Sequence, residues 1–175
     1  HTLSFIPRLG RELGSLNEHQ EILDLHLPKK VPFSIYINSL GFFREIFKRR
    51  QAEAETLLYW DEEKKEYLLA VKKQRVEKFS LSAEVGPNPE GLLRAGTLHS
   101  HGDLWAFHSY TDDADERHDD GLHITFGDVM EIPSVSCSVV ADGKRFMVRT
   151  GDIFELEPLT VPEIPKEWIQ NVKRV

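Results

Sequence analysis

The alternation of apolar and polar positions along the chain predicts a series of short strands. Apolar residues recur in runs of strand length, and the segments between them are charged or contain Gly, Pro, Asn and Asp. The predicted strands cover 33–37, 56–60, 67–71, 76–82, 92–100, 122–126, 135–140 and 145–148. The charged segment 61–66 indicates a hairpin between the second and third strands, and the Asp-Gly pair within 141–144 indicates a tight turn between the last two.

A different periodicity after the first strand predicts a helix. Apolar residues repeat there at three- and four-residue intervals, at Leu40, Phe43, Ile46 and Phe47. The polar pair before them, 38–39, is a typical helix N-cap, which predicts a helix over roughly 39–52. A short acidic helix is predicted from Ser109 to about Gly121, and 166–175 is a short amphipathic stretch. Strands interleaved with helices in this order predict an α/β (or α+β) domain with a mixed central sheet flanked by helices.

Length, composition and charge favour one compact soluble domain. The 175 residues are 40% apolar and 29% charged, and they are too few for a (β/α)₈ barrel, which needs about 250 residues. We divide the chain into an N-terminal extension (1–32), a main domain (33–150) and a C-terminal tail packed on that domain (151–175). The formal net charge of −7 argues against binding to nucleic acid, and the apolar runs are too short for a membrane helix.

The cysteine content limits both the location and the chemistry. The single cysteine, Cys137, excludes an internal disulfide and zinc modules of the Cys₄ or Cys₂His₂ type. It therefore predicts a reducing, cytoplasmic setting. Cys137 falls in an apolar strand without basic neighbours, which favours inert burial over a role as a nucleophile.

Two histidines at the end of the strand predicted over 92–100 can bind one metal ion. His99 and His101 are two positions apart, so their side chains point to the same face of that strand. Asp112 follows in the first turn of the predicted acidic helix and can supply a third ligand. Two histidines and a carboxylate with an open fourth position are typical of a catalytic zinc site. The alternative is that the two histidines coincide by chance, and that Ser109 and Asp112 only cap a helix.

The spacing of these four residues resembles a known catalytic signature. His99, His101, Ser109 and Asp112 match the pattern His-x-His-x₇-Ser-x₂-Asp of the JAMM (MPN⁺) metalloprotease family, and the resemblance extends over about 35–150. It implies a cytidine-deaminase-like fold and one catalytic Zn²⁺ held by the two histidines and the aspartate. It also implies that the serine hydroxyl stabilises the tetrahedral intermediate while an amide or isopeptide bond is hydrolysed after the C-terminus of a ubiquitin-like protein.

The family also requires a glutamate that acts as general base from a neighbouring strand. Glu53 and Glu55 both qualify, because two positions apart on a strand they share one face. The family pattern, Glu-x-x-(Gly or Ala) followed by apolar residues, favours Glu53 over Glu55. Thr56 then stands where the family has a small residue, and this departure keeps the alternative open.

The neighbouring histidines and one tryptophan have other interpretations. A metallo-β-lactamase-like site would need histidine where this chain has Leu104. His108 and His118 are interpreted as loop residues or as supports of the site, and His123, in an apolar strand, as a packed core histidine. Trp105 lies between the histidine pair and Ser109, and we predict it at the rim of the cleft.

The resemblance is closest to bacterial, deubiquitinase-like members of the family, which are encoded beside ubiquitin-like conjugation genes. The leading hypothesis is an isopeptidase that acts on conjugates of a ubiquitin-like protein, in a pathway with its own activating and conjugating enzymes, such as one used in antiphage defence. One alternative is a protease that trims a ubiquitin-like or sulfur-carrier precursor. Another is a catalytically inactive MPN scaffold that only docks partners.

Overall fold

The computed structural model describes residues 27–76, 81–83, 86–106, 119–155 and 163–174. Within these ranges the helices are α1 (Phe33–Arg50), α2 (Thr150–Ile153) and α3 (Lys166–Gln170). The strands are β1 (Glu55–Asp61), β2 (Glu66–Ala70), β3 (Gln74–Val76), β4 (Leu81–Ala83), β5 (Leu92–Ser100), β6 (Gly121–Gly127), β7 (Ser134–Ala141), β8 (Lys144–Val148) and β9 (Val172–Arg174).

Six of the described strands form one mixed sheet in the order β2-β1-β5-β6-β7-β8. Only β5 and β6 within this sheet run parallel, and its other neighbouring strands are antiparallel. The connection between the two parallel strands contains 107–118, which lie outside the described residues. The predicted α/β class with a mixed central sheet is therefore confirmed.

Both predicted hairpins are present. β1 pairs with β2 across the charged segment, with Leu57 opposite Ala70. β7 pairs with β8 through a two-residue turn in which Asp142 and Gly143 have φ values of 46° and 75°. Positive φ at both central positions is the geometry of a type I′ turn, which joins twisted antiparallel strands without splaying them. The Asp-Gly pair thus has the role that the sequence predicted.

Helix α1 corrects the sequence prediction at its start. The strand predicted over 33–37 is wrong, because this segment is the first part of a helix that begins directly after Pro32. The fixed φ of proline suits a helix start. Ser39, predicted as an N-cap, lies inside the helix, where its hydroxyl donates to the carbonyl of Ile35 at 2.9 Å. Among the described helices, none is long and apolar enough to cross a membrane.

The main hydrophobic core lies between α1 and one face of the six-stranded sheet. Phe43 of the helix packs against Phe126 of β6 with ring centroids 5.4 Å apart, and Tyr36 contacts the same ring at 5.1 Å. Leu98 of β5 and Ile124 of β6 are fully buried in the same cluster. Each such side chain contributes about 1.5–3 kcal/mol through burial. Because side chains alternate across a strand, the residues between these point to the opposite face of the sheet.

A second, smaller sheet lies beside the first. In place of the single strand predicted over 76–82, two short strands, β3 and β4, pair antiparallel, and β3 also pairs parallel with β9. Val31 pairs with Phe154 through an isolated bridge, and Trp168 of α3 packs edge-on against Phe42 of α1 at 6.1 Å. The Tyr67 hydroxyl of the main domain also donates to the Lys29 carbonyl at 3.0 Å, so described parts of both the predicted extension and the predicted tail contact the main domain.

Candidate metal centre

Strand β5 positions the two histidines predicted as metal ligands. His99 is the second-last residue of the strand and His101 follows its end. Ser100, between them, points the other way, and its Oγ accepts a hydrogen bond from the Ala54 N–H at 3.1 Å. The two imidazoles come together on the sheet face opposite α1, with both side chains buried.

The geometry of the histidine pair fits one metal ion. The Nε2 atoms of His99 and His101 lie 3.2 Å apart, and the rings are tilted by 48° with centroids 5.1 Å apart. Two imidazole nitrogens bound to one tetrahedral zinc at about 2.0–2.1 Å would lie roughly 3.3–3.4 Å apart. The separation of the two Nε2 atoms is therefore close to that of two ligands of one zinc ion.

A polar residue of β6, Thr125, lies beside this pair. Thr125, which pairs with His99 across the parallel strands, has its Oγ1 3.4 Å from the His99 Nε2. The sequence analysis did not single out Thr125, although a threonine in an otherwise apolar strand end was the available signal. It is fully buried on the same face as the histidines.

His123 is a packed core histidine, as the sequence predicted. It is 1% exposed, and both of its ring nitrogens have partners. Its Nε2 lies 2.7 Å from the carbonyl oxygen of Asp119, and its Nδ1 lies 3.0 Å from the Oγ1 of Thr97. A carbonyl oxygen only accepts, so Nε2 carries the hydrogen, and in the neutral ring Nδ1 accepts from the threonine hydroxyl. His123 therefore connects Thr97 of β5 to Asp119, which lies two residues before β6.

The two candidate general bases lie at the start of β1. Glu55 begins the strand and pairs with His99, whereas Glu53 precedes the strand. Continuing the antiparallel register places Glu53 opposite His101. Residues directly opposite each other in an antiparallel pair point to the same face, so both carboxylates belong to the side of the sheet that carries the histidines.

Two predicted site residues, Ser109 and Asp112, lie outside the described residues, as do His108 and His118. Among the residues that the structure describes, no group of three or more His, Cys, Asp or Glu side chains is placed to hold a metal ion. The histidine pair accounts for two ligands, and Asp112 stays a prediction for the third.

The described residues on either side of 107–118 are fixed to the sheet. At one end, the Ala106 N–H donates to the Ser134 hydroxyl at 2.8 Å. At the other end, Asp119 forms an ion pair with Arg94 of β5 and accepts the hydrogen bond from His123. The two described residues that flank 107–118 closely, Ala106 and Asp119, are therefore each bonded to described strands or their connecting loops.

The loop after His101 packs tightly against the loop after β6. The Leu104 carbonyl accepts from the Asp128 N–H and the Gly102 carbonyl from the Val129 N–H, each at 2.9 Å. A Cβ atom at Gly127 would lie 2.2 Å from the Ala106 nitrogen, so only glycine permits this approach. Trp105 is 71% exposed in this fixed loop. An exposed indole four residues after His101 is compatible with the predicted position at a cleft rim.

Cys137 is buried, as predicted. It is 1% exposed on β7, and burial raises the pKa of its thiol to about 12. A thiol with so high a pKa carries almost no thiolate at neutral pH, and the thiolate is the nucleophilic form. The chemistry of the site therefore does not involve this side chain.

Comparisons with known proteins do not extend this description. Neither the models of known protein families nor the curated proteins contain a match to the chain. The resemblance to the JAMM family therefore rests on its motif residues alone.

Proposed function

We propose that this chain is a zinc-dependent isopeptidase with a JAMM-type, cytidine-deaminase-like fold, which cleaves conjugates after the C-terminus of a ubiquitin-like protein. The observation that carries the proposal is the 3.2 Å separation of the His99 and His101 Nε2 atoms on a buried sheet face. The mixed sheet, and the pairing of Glu55 with His99, support it further.

In this proposal, metal binding, proton transfer and stabilisation of the oxyanion are each assigned to residues of the chain. His99, His101 and Asp112 would hold the ion. Zinc bound there would supply a Lewis acid that activates water for attack on an amide carbonyl at neutral pH. Glu53 would take a proton from the attacking water and pass it to the leaving amine. Ser109 would donate a hydrogen bond to the oxygen on which negative charge develops.

Zinc content is the first test, because two histidine nitrogens 3.2 Å apart can share either a metal ion or an N–H···N hydrogen bond. We expect about one zinc per chain in freshly purified protein, measured by atomic emission. A protein that contains no zinc and takes up none on addition would overturn the proposal and favour a scaffold that only docks partners.

Substrate class is the second test. Two probes share ubiquitin as the model ubiquitin-like protein: ubiquitin linked to the lysine side chain of a peptide, and ubiquitin extended by a C-terminal peptide. We expect zinc-dependent cleavage of the first. Cleavage of the second alone would favour the trimming of a precursor, and zinc-loaded protein that cleaves neither would contradict the substrate class.

Replacing Ser109 by alanine is expected to slow turnover while zinc stays bound. Loss of one hydrogen-bond donor to a developing oxyanion lowers kcat by about 10²–10³-fold. The measurements are zinc content and kcat on the lysine-linked conjugate. A Ser109→Ala enzyme with the wild-type kcat would mean that the hydroxyl only caps the predicted helix.

A further inference from the structure

Among the described strands, none pairs with the start of β1 on its outer edge. β2 covers β1 from Leu57 to Asp61, so the pairing stops before Glu55 is reached. On the inner edge, the Ser100 N–H donates to the Ala54 carbonyl at 2.9 Å. Because hydrogen-bonding directions alternate along a strand, the N–H and the carbonyl of the next residue, Glu55, point outward.

The side chain of Gln74 lies beside Glu55, in the position that a neighbouring strand would have. The Glu55 N–H donates to the Gln74 Oε1 at 2.8 Å, and the Gln74 Nε2 donates to the Glu55 carbonyl at 2.9 Å. Gln74 is only 4% exposed. Its amide thus forms both hydrogen bonds that a neighbouring backbone residue would have formed.

Gln74 is itself fixed by the small sheet. Its backbone N–H donates to the Asn171 carbonyl at 3.0 Å, and its strand β3 pairs parallel with β9. Its Nε2 also donates to the Lys72 carbonyl at 3.3 Å. The side chain of Gln74 therefore links the small sheet to the start of β1.

We propose that Gln74 is a positioning residue for the candidate site: its amide holds the 53–55 segment in register with His99 and His101. Ser100 fixes this segment from the inner edge and Gln74 from the outer edge. The inference rests on the proposed function in one respect, namely that a carboxylate of this segment takes part in the reaction. Its physical basis is that a reacting group displaced by about 1 Å can lose as much as 10²-fold in rate.

Gln74→Met tests the inference, because methionine keeps the length and lack of branching of glutamine but forms neither hydrogen bond to Glu55. We expect hydrogen exchange of the Glu55 amide, followed by NMR, to become at least about tenfold faster as its bonded partner is lost. We expect kcat on the lysine-linked ubiquitin peptide to fall about 10–100-fold, with KM and zinc content close to wild type.

The matched control is Asn171→Ala. The Asn171 side-chain amide donates to the Val71 carbonyl at 3.2 Å, so this substitution loosens the same small sheet without touching Glu55. We expect it to lower the melting temperature but to leave kcat and the Glu55 exchange rate close to wild type. A purely structural role of Gln74 predicts instead that both variants behave alike.

The possible failures can be told apart. Wild-type exchange at Glu55 in Gln74→Met, or an unchanged kcat, would overturn the positioning role. A wild-type protein that cleaves no conjugate would contradict the proposed function, and the Glu55 exchange rate alone would then decide whether Gln74 holds the segment.

Discussion

Replacing His99 by alanine is expected to reduce zinc content from about one per chain to near zero after dialysis. The substitution removes one of the two nitrogens that lie 3.2 Å apart, and a single histidine with one carboxylate holds zinc weakly. Losing several kcal/mol of transition-state stabilisation corresponds to a fall in activity of about 10³-fold or more. His101→Ala should have the same effect. The measurements are metal analysis and cleavage of the lysine-linked conjugate.

His123→Gln is the matched control for this experiment. His123 is also a buried histidine of the same sheet, but its nitrogens contact Thr97 and Asp119. Glutamine keeps a donor and an acceptor, so we expect some loss of stability and retention of zinc. Zinc retained in His99→Ala and lost in His123→Gln would mean that the metal centre has been assigned to the wrong histidines.

Replacing Glu53 by glutamine is expected to abolish most activity while zinc and the fold are retained. The amide keeps the shape and hydrogen bonding of the carboxylate but cannot accept the proton of the attacking water. General acid–base catalysis of this kind contributes about 10²–10⁴-fold to rate, and we expect kcat to fall within that range. Zinc content and kcat are measured together, so that loss of the metal is separated from loss of the base.

Glu55→Gln is the natural comparison, because it makes the same chemical change two residues along. Glu55 pairs with His99 at the start of β1, and the motif register favours Glu53. We therefore expect a much milder effect from Glu55→Gln. An inactive Glu55→Gln beside an active Glu53→Gln would transfer the role of base to Glu55.

Sequence periodicity was not sufficient to predict where helix α1 begins. An amphipathic surface helix reveals itself through one apolar stripe, but α1 is buried around most of its circumference, from Ile35 through Phe47. Its first residues, Phe33 to Ile37, also fit the two-residue period of a strand. Only tertiary packing against the six-stranded sheet distinguishes the helix from a strand here.

At the candidate site, the sequence could predict the placement of side chains that depends only on local strand geometry. The two-residue spacing of His99 and His101 was enough to place them on one face, and the structure brings them together there. Gln74 could not be found in this way. Its contact with Glu55 depends on how the small sheet lies against β1, and no pattern in the sequence around Gln74 indicates that placement.

The small sheet also sets an order in which this molecule can fold. Its hydrogen bond between Asn171 and Val71 joins residues 100 positions apart, and β3 pairs with β9 over a similar separation. Such contacts close longer loops than a hairpin does, and their entropic cost is higher, although it grows only slowly with loop length. During synthesis, the histidine strand β5 can pair with β1 before residues 163–174 leave the ribosome, whereas β3 can pair with β9 only afterwards. The strands that carry the histidine pair can therefore pair before the small sheet that holds Gln74 is complete.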